Sequence, residues 1–197
     1  MSSPISAPHP RIHVYGHVSA QPAAIAKEFG AQVSATPQSE SDLAIFAINP
    51  AAGIDGPTIA LWDQLNETQV PRLVVVIGLE GQESDFEDAV MVANRVFDQM
   101  LTPFLALHGD DGEVAALISM KDLTITDYSM KPPTNRPCDP EHVELVKEFR
   151  DEYLTEMEIQ GEGGFEAGLL FPAIPLLLSR GIGVDIVKNY IEKIANS

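Results

Sequence analysis

The stretch Gly16-His17-Val18-Ser19-Ala20-Gln21-Pro22-Ala23-Ala24 joins a short β-prone run, Arg11 to Tyr15, to a segment that reads as a helix, Pro22 to Phe29. A glycine-led turn between a strand and a helix start is a place where backbone N–H groups can gather on a phosphate. His17 could assist a ligand there, although a polar residue at such a turn more often serves the turn itself. A second group is acidic: Glu80, Glu83, Asp85, Glu87 and Asp88, at the expected C-terminal edge of a sheet. Two carboxylates at such an edge can work as an acid and base pair. The favoured explanation is simpler: an acidic first turn complements the dipole of the helix that follows. His108, Asp110, Asp111 and Glu113 carry enough oxygen and nitrogen to interest a divalent cation. Adjacent aspartates in a glycine-flanked turn are ordinary hairpin chemistry, so no metal site is expected. Cys138 in a proline-rich loop, with His142 nearby, is thin evidence for a nucleophile.

The elements that must position these residues follow from hydrophobic period. Leu43 to Ile48 and Arg72 to Ile77 are continuous apolar runs of the length of buried strands, with helices expected from about Pro57 to Asn66 and from Ser84 to Asp98. In the second helix Phe86, Val90, Ala93 and Phe97 share a face. Thr102 to Leu107, Val114 to Met120 and Leu123 to Thr126 read as strands, with a tight turn at Gly109 to Gly112. Lys131 to Pro137 reads as a connector. Asp139-Pro140-Glu141 opens one long helix with an apolar stripe at Val143, Val146, Phe149, Tyr153 and Met157, broken at Gly161 to Gly164. Its other face, Glu141 to Glu158, is acidic enough to dock a basic partner, and ordinary solvation explains it nearly as well. Ala173 to Leu178 reads as the last strand and Val184 to Ala195 as the last helix.

Composition limits the function classes. The 197 residues hold 12 Lys and Arg against 29 Asp and Glu, a net charge of −17, with 45% hydrophobic residues and mean hydropathy +0.02. A chain this acidic is unsuited to gripping nucleic acid or an anionic membrane surface. The lone Cys138 rules out an internal disulfide and fits a reducing compartment. The longest apolar run, Gly168 to Leu178, is too short to span a bilayer, and no leader pattern opens the chain, so a cytoplasmic protein is expected.

Taken in order, these segments resemble the GTP-binding domain of the translational GTPases, most closely elongation factor G. Gly16 to Ala24 lies where that family has Gly-His-[Ile/Val]-Asp-[Ala/His]-Gly-Lys-Thr-Thr, its P-loop. Leu43 to Trp62 resembles the family's strand, Ala-x-Ala-Gly-Val turn and helix, and Val70-Pro71-Arg72 the approach to Asn-Lys-x-Asp. Ser84-Asp85-Phe86 with its helix, then Pro103 to Tyr128, resembles the continuation into the G-prime insertion, and Ser179 to Ile191 the closing Ser-Ala motif with its helix. The resemblance runs from Arg11 to Ile194 with one large gap after the first helix. It implies a three-layer, P-loop-GTPase-like α/β fold: a mostly parallel sheet with helices on both faces, plus an α+β, G-prime-like insertion. The domain expectation is a flexible arm at 1–10, a core at 11–108 and 165–197, and the insertion at 109–164.

The departures from the family pattern bear on chemistry. Gln21 stands for the glycine, Pro22 for the lysine and Ala23 for the threonine, which removes the ammonium, one backbone donor and the magnesium hydroxyl. None of the six lysines follows a glycine, so no shifted P-loop exists. Asn-Lys-x-Asp is replaced by Ile77-Gly78-Leu79-Glu80, where only Glu80 keeps a carboxylate. Between Ala24 and Leu43 there is too little chain for the first switch and the Asp-x-x-Gly strand. The expectation is a pseudo-GTPase, not an enzyme and without cofactor, that binds a protein partner or itself. Its vestigial pocket comprises Gly16, His17, Ala20, Gln21, Pro22, Ala23, Ile77, Gly78, Glu80 and Ser179. Two alternatives stay open: an anion or nucleotide binder using the helix start near Pro22, and an enzyme of another class using acids such as Glu80 and Asp85. A ribosome-related role follows from the resemblance alone.

Overall fold

Leu43 to Ile48 and Arg72 to Val76 lack polar alternation, and both form strands buried along their whole length. Such strands need cover on both faces, the condition of a parallel sheet between helices. The structure, a computed structural model, describes residues 9–81 and 84–197. The expected arm at 1–10 lies almost wholly outside the described residues, as does Glu83.

The chain begins β1 (Ile12–Tyr15), α1 (Pro22–Phe29), β2 (Gln32–Val33), β3 (Leu43–Ile48), α2 (Gly56–Asn66) and β4 (Arg72–Val76). It continues with α3 (Phe86–Val96), β5 (Met100–Leu101), β6 (Phe104–His108), β7 (Val114–Ser119), β8 (Thr124–Asp127) and β9 (Thr134–Pro137). It closes with α4 (Pro140–Leu145), α5 (Lys147–Gln160), β10 (Phe171–Pro175) and α6 (Val184–Ala195). Six strands form an all-parallel sheet in the order β2-β1-β3-β4-β10-β5, flanked by helices, in agreement with the expected α/β architecture. Register is fixed by side-by-side apolar residues, Val14 beside Ile45 and Phe46 beside Val74.

One face of this sheet carries an aromatic cluster. Phe46 stacks on Tyr15 and meets Trp62 of α2 edge-on, with centroids 5.0 and 4.9 Å away, and Trp62 stacks on Phe97 at 4.4 Å. Arg72 is buried against it, 4.3 Å from the Trp62 ring and 4.4 Å from the Phe171 ring. Its guanidinium donates to the Trp62 carbonyl at 3.2 Å and to Asn66 Oδ1 at 2.5 Å. Burial lowers its pKa to about 10, opposed by the charges of Asp98 and Asp63.

The second sheet is antiparallel, in the order β6-β7-β8-β9. It begins at Phe104, within the stretch that sequence assigns to the core. Leu105, Ile118 and Ile125 stand side by side across three strands and form its buried face. Two contacts tie this sheet to the end of the chain: Arg180 donates to the Val114 carbonyl at 2.6 Å, and the Tyr128 hydroxyl to Asp185 at 3.2 Å.

Four expectations need correction. The connector Lys131 to Pro137 ends in a strand, β9, which is wholly exposed and held by backbone pairing to β8. The single long helix is two, because Val146 leaves helical geometry (φ −97°, ψ 3°) as its side chain enters the core. Met100–Leu101, absent from the sequence reading, adds an edge strand beside β10. The last strand starts at Phe171 and ends at Pro175, before Leu178. Among the described residues no helix is long and apolar enough to cross a membrane.

Candidate functional site

Parallel sheets place sites beyond the strand C-termini, where the strand order reverses. Here the chain leaves β1 outward to β2, then runs from β3 toward β4, so the reversal lies between β1 and β3. The turn after β1 begins at Gly16. A Cβ there would lie 2.6 Å from the Ala47 carbonyl oxygen, so only glycine lets the chain pass this close to β3.

From Gly16 the chain folds back on itself. His17 caps a 3-10 turn, Val18–Ala20: its Nδ1 accepts from the Ser19 N–H at 3.2 Å and lies 2.8 Å from Ser19 Oγ. The Ala20 N–H donates to the His17 carbonyl (2.9 Å), the Gln21 N–H to the Val18 carbonyl (3.0 Å) and the Ala24 N–H to the Gln21 carbonyl (3.1 Å). Gln21 sits in the left-handed region (φ 51°, ψ 48°), and Pro22, which has no N–H, is the first residue of α1. Ala20 and Pro22 are buried, while His17, Gln21 and Ala23 are exposed. His17 thus serves the turn, the more ordinary of its two expected roles.

Asn49, a residue the sequence reading passed over, joins this turn to its neighbours. Its Nδ2 donates to the Ser19 carbonyl at 2.9 Å, and its Oδ1 accepts from the Ala51 N–H at 3.0 Å. Gly78 lies against the same side chain: a Cβ at Gly78 would fall 2.6 Å from Asn49 Oδ1. Asn-Pro directly after a buried strand was the available signal, since Asn commonly folds its amide onto nearby backbone at strand ends.

Of the expected pocket, Gly16 to Ala23 form one continuous turn and helix start, tied to Asn49 through the Ser19 carbonyl, and Gly78 lies against the same Asn49 side chain. Ile77 is buried and its N–H continues the pairing to the Ile48 carbonyl at 2.9 Å. Glu80 and Ser179 are exposed and make no side-chain hydrogen bond to these residues among those described. Beside Ser179, Arg180 is committed to the Val114 carbonyl.

The other candidate groups have local structural roles. Asp85 caps α3, its Oδ1 accepting from the Glu87 N–H at 2.9 Å. Burial, followed by the charges of Asp85 and Asp88, raises the Glu87 pKa. Asp111 accepts from the Glu113 N–H at 3.0 Å within the hairpin turn. Among the described residues no three or more His, Cys, Asp or Glu are grouped to hold a metal ion. His142 lies 3.4 Å from Asp139, which also holds Arg136 at 2.8 Å, and Cys138 points to the Asp139 carbonyl. Burial and the Asp139 charge raise the Cys138 thiol pKa, the opposite of what activates a thiolate.

No family model matches the chain. It is homologous to an elongation factor G-like protein of Mycobacterium tuberculosis, found in strains CDC 1551 / Oshkosh and ATCC 25618 / H37Rv. Identity is 27% over 167 residues, covering 73% of this chain and 23% of the relative. The fold matches the crystal structure of a Thermus thermophilus protein with a TM-score of 0.67 and 22% identity, over 78% of this chain and 26% of that one. The chain therefore spans about a quarter of the length of the proteins it matches.

Proposed function

We propose that this chain, a translational GTPase-related domain by its homology to elongation factor G-like proteins, is a pseudo-GTPase that serves as a non-catalytic protein-interaction or regulatory module. The observation that carries this reading is the closed turn after β1. The N–H groups of Ala20, Gln21 and Ala24 all donate to carbonyls within Gly16 to Ala24, and Asn49 binds the Ser19 carbonyl from outside. A phosphate cradle needs such amides free and convergent, with an ammonium to reach the terminal phosphates. Here Pro22 supplies neither cation nor N–H. Magnesium finds no hydroxyl at Ala23, so the residues present do not fit a magnesium nucleotide. Phosphoryl transfer relies almost wholly on positioning and charge stabilisation, and little covalent chemistry remains to replace them.

The same turn argues against an anion site at the start of α1, because Pro22 has no N–H and the N–H groups of Gln21, Ala24 and Ile25 are bonded within the turn. The acidic charge favours a protein partner over nucleic acid. A cytoplasmic setting and a link to translation follow from the relative's name and from the single cysteine, as part of this reading. Calorimetric titration with GTP and GDP, with and without magnesium, tests it. No heat of binding is expected at up to about 1 mM nucleotide, and a Kd near 1 μM, about −8 kcal/mol, overturns it.

A further inference from the structure

We draw no further inference here: the strongest candidate, the apolar tip at the C-terminal edge of the parallel sheet, where Val18 is 78% exposed and Ala51 and Ala52 are exposed as well, is an unpartnered surface patch, and nothing in the structure shows what covers it.

Discussion

Replacing Asn49 by alanine removes two neutral hydrogen bonds, to the Ser19 carbonyl at 2.9 Å and from the Ala51 N–H at 3.0 Å. Each such bond contributes about 0.5–1.5 kcal/mol net, so Asn49→Ala should cost about 1–3 kcal/mol. For a domain of this size that lowers the Tm by about 2–4 °C per kcal/mol. Asn49→Asp keeps the acceptor for Ala51 but sets a carboxylate oxygen against the Ser19 carbonyl, so its loss should equal or exceed that of alanine. A second arm uses Gly78, where an added methyl meets Asn49 Oδ1. Gly78→Ala should cost less in the Asn49→Ala background than in the parent, and a double-mutant cycle isolates the difference. Urea unfolding followed by circular dichroism gives the stabilities, and hydrogen exchange at the Ala20 and Gln21 amides reports whether the turn loosens. A loss below about 0.5 kcal/mol for Asn49→Ala, or Asn49→Asp as stable as the parent, refutes the closure of this turn by Asn49.

Other perturbations follow from the same structure. Gly16→Ala forces a methyl onto the Ala47 carbonyl, and a loss of about 3 kcal/mol or more in urea unfolding is expected, since backbone must shift. Arg72→Ala, beside Trp62 and Phe171, should cost about 2–5 kcal/mol, whereas Arg72→Met, which refills the space without a buried charge, should cost less than about 1.5; equal losses would show that packing is not what Arg72 contributes. Burial raises the pKa of all four tyrosines, Tyr15, Tyr128, Tyr153 and Tyr190. Their contribution is complete below pH about 10 and is lost as unfolded tyrosine ionises above it. Arg72, lowered to about 10, acts oppositely from there upward because the fold sheds its proton first, but it is one group against four. Stability should therefore fall above that pH, and tyrosinate absorbance should rise only as circular dichroism is lost.

The parallel sheet was readable because its strands are apolar on both faces: Leu43 to Ile48 allows no other burial, and Gly30 ends α1 at the expected residue. The second sheet was only partly readable. β7 and β8 alternate enough to be seen, but Thr-Asn-Arg-Pro in β9 buries nothing, and its pairing to β8 leaves no hydrophobic mark. Val146 fits an unbroken helical stripe, so the break there reflects packing of its side chain, which local period does not report. At the candidate site the residue types at 21 to 23 were plain from the chain, whereas the role of Asn49 required knowing that β1 and β3 are neighbours.

The strands at the rims have a consequence for behaviour at high concentration. Both flanks of the parallel sheet end in two-residue strands; of the two outer strands of the second sheet, β9 ends in Pro137, with Pro132 and Pro133 just ahead of it, and β6 follows Pro103 and lies against β10. Short or proline-bearing borders offer incoming chains few donors and acceptors to template upon. Mutual repulsion at −17 adds to this protection. Crowded solutions of this protein should resist fibril growth, and any pairing of its copies would run through side-chain surfaces, not through shared ladders.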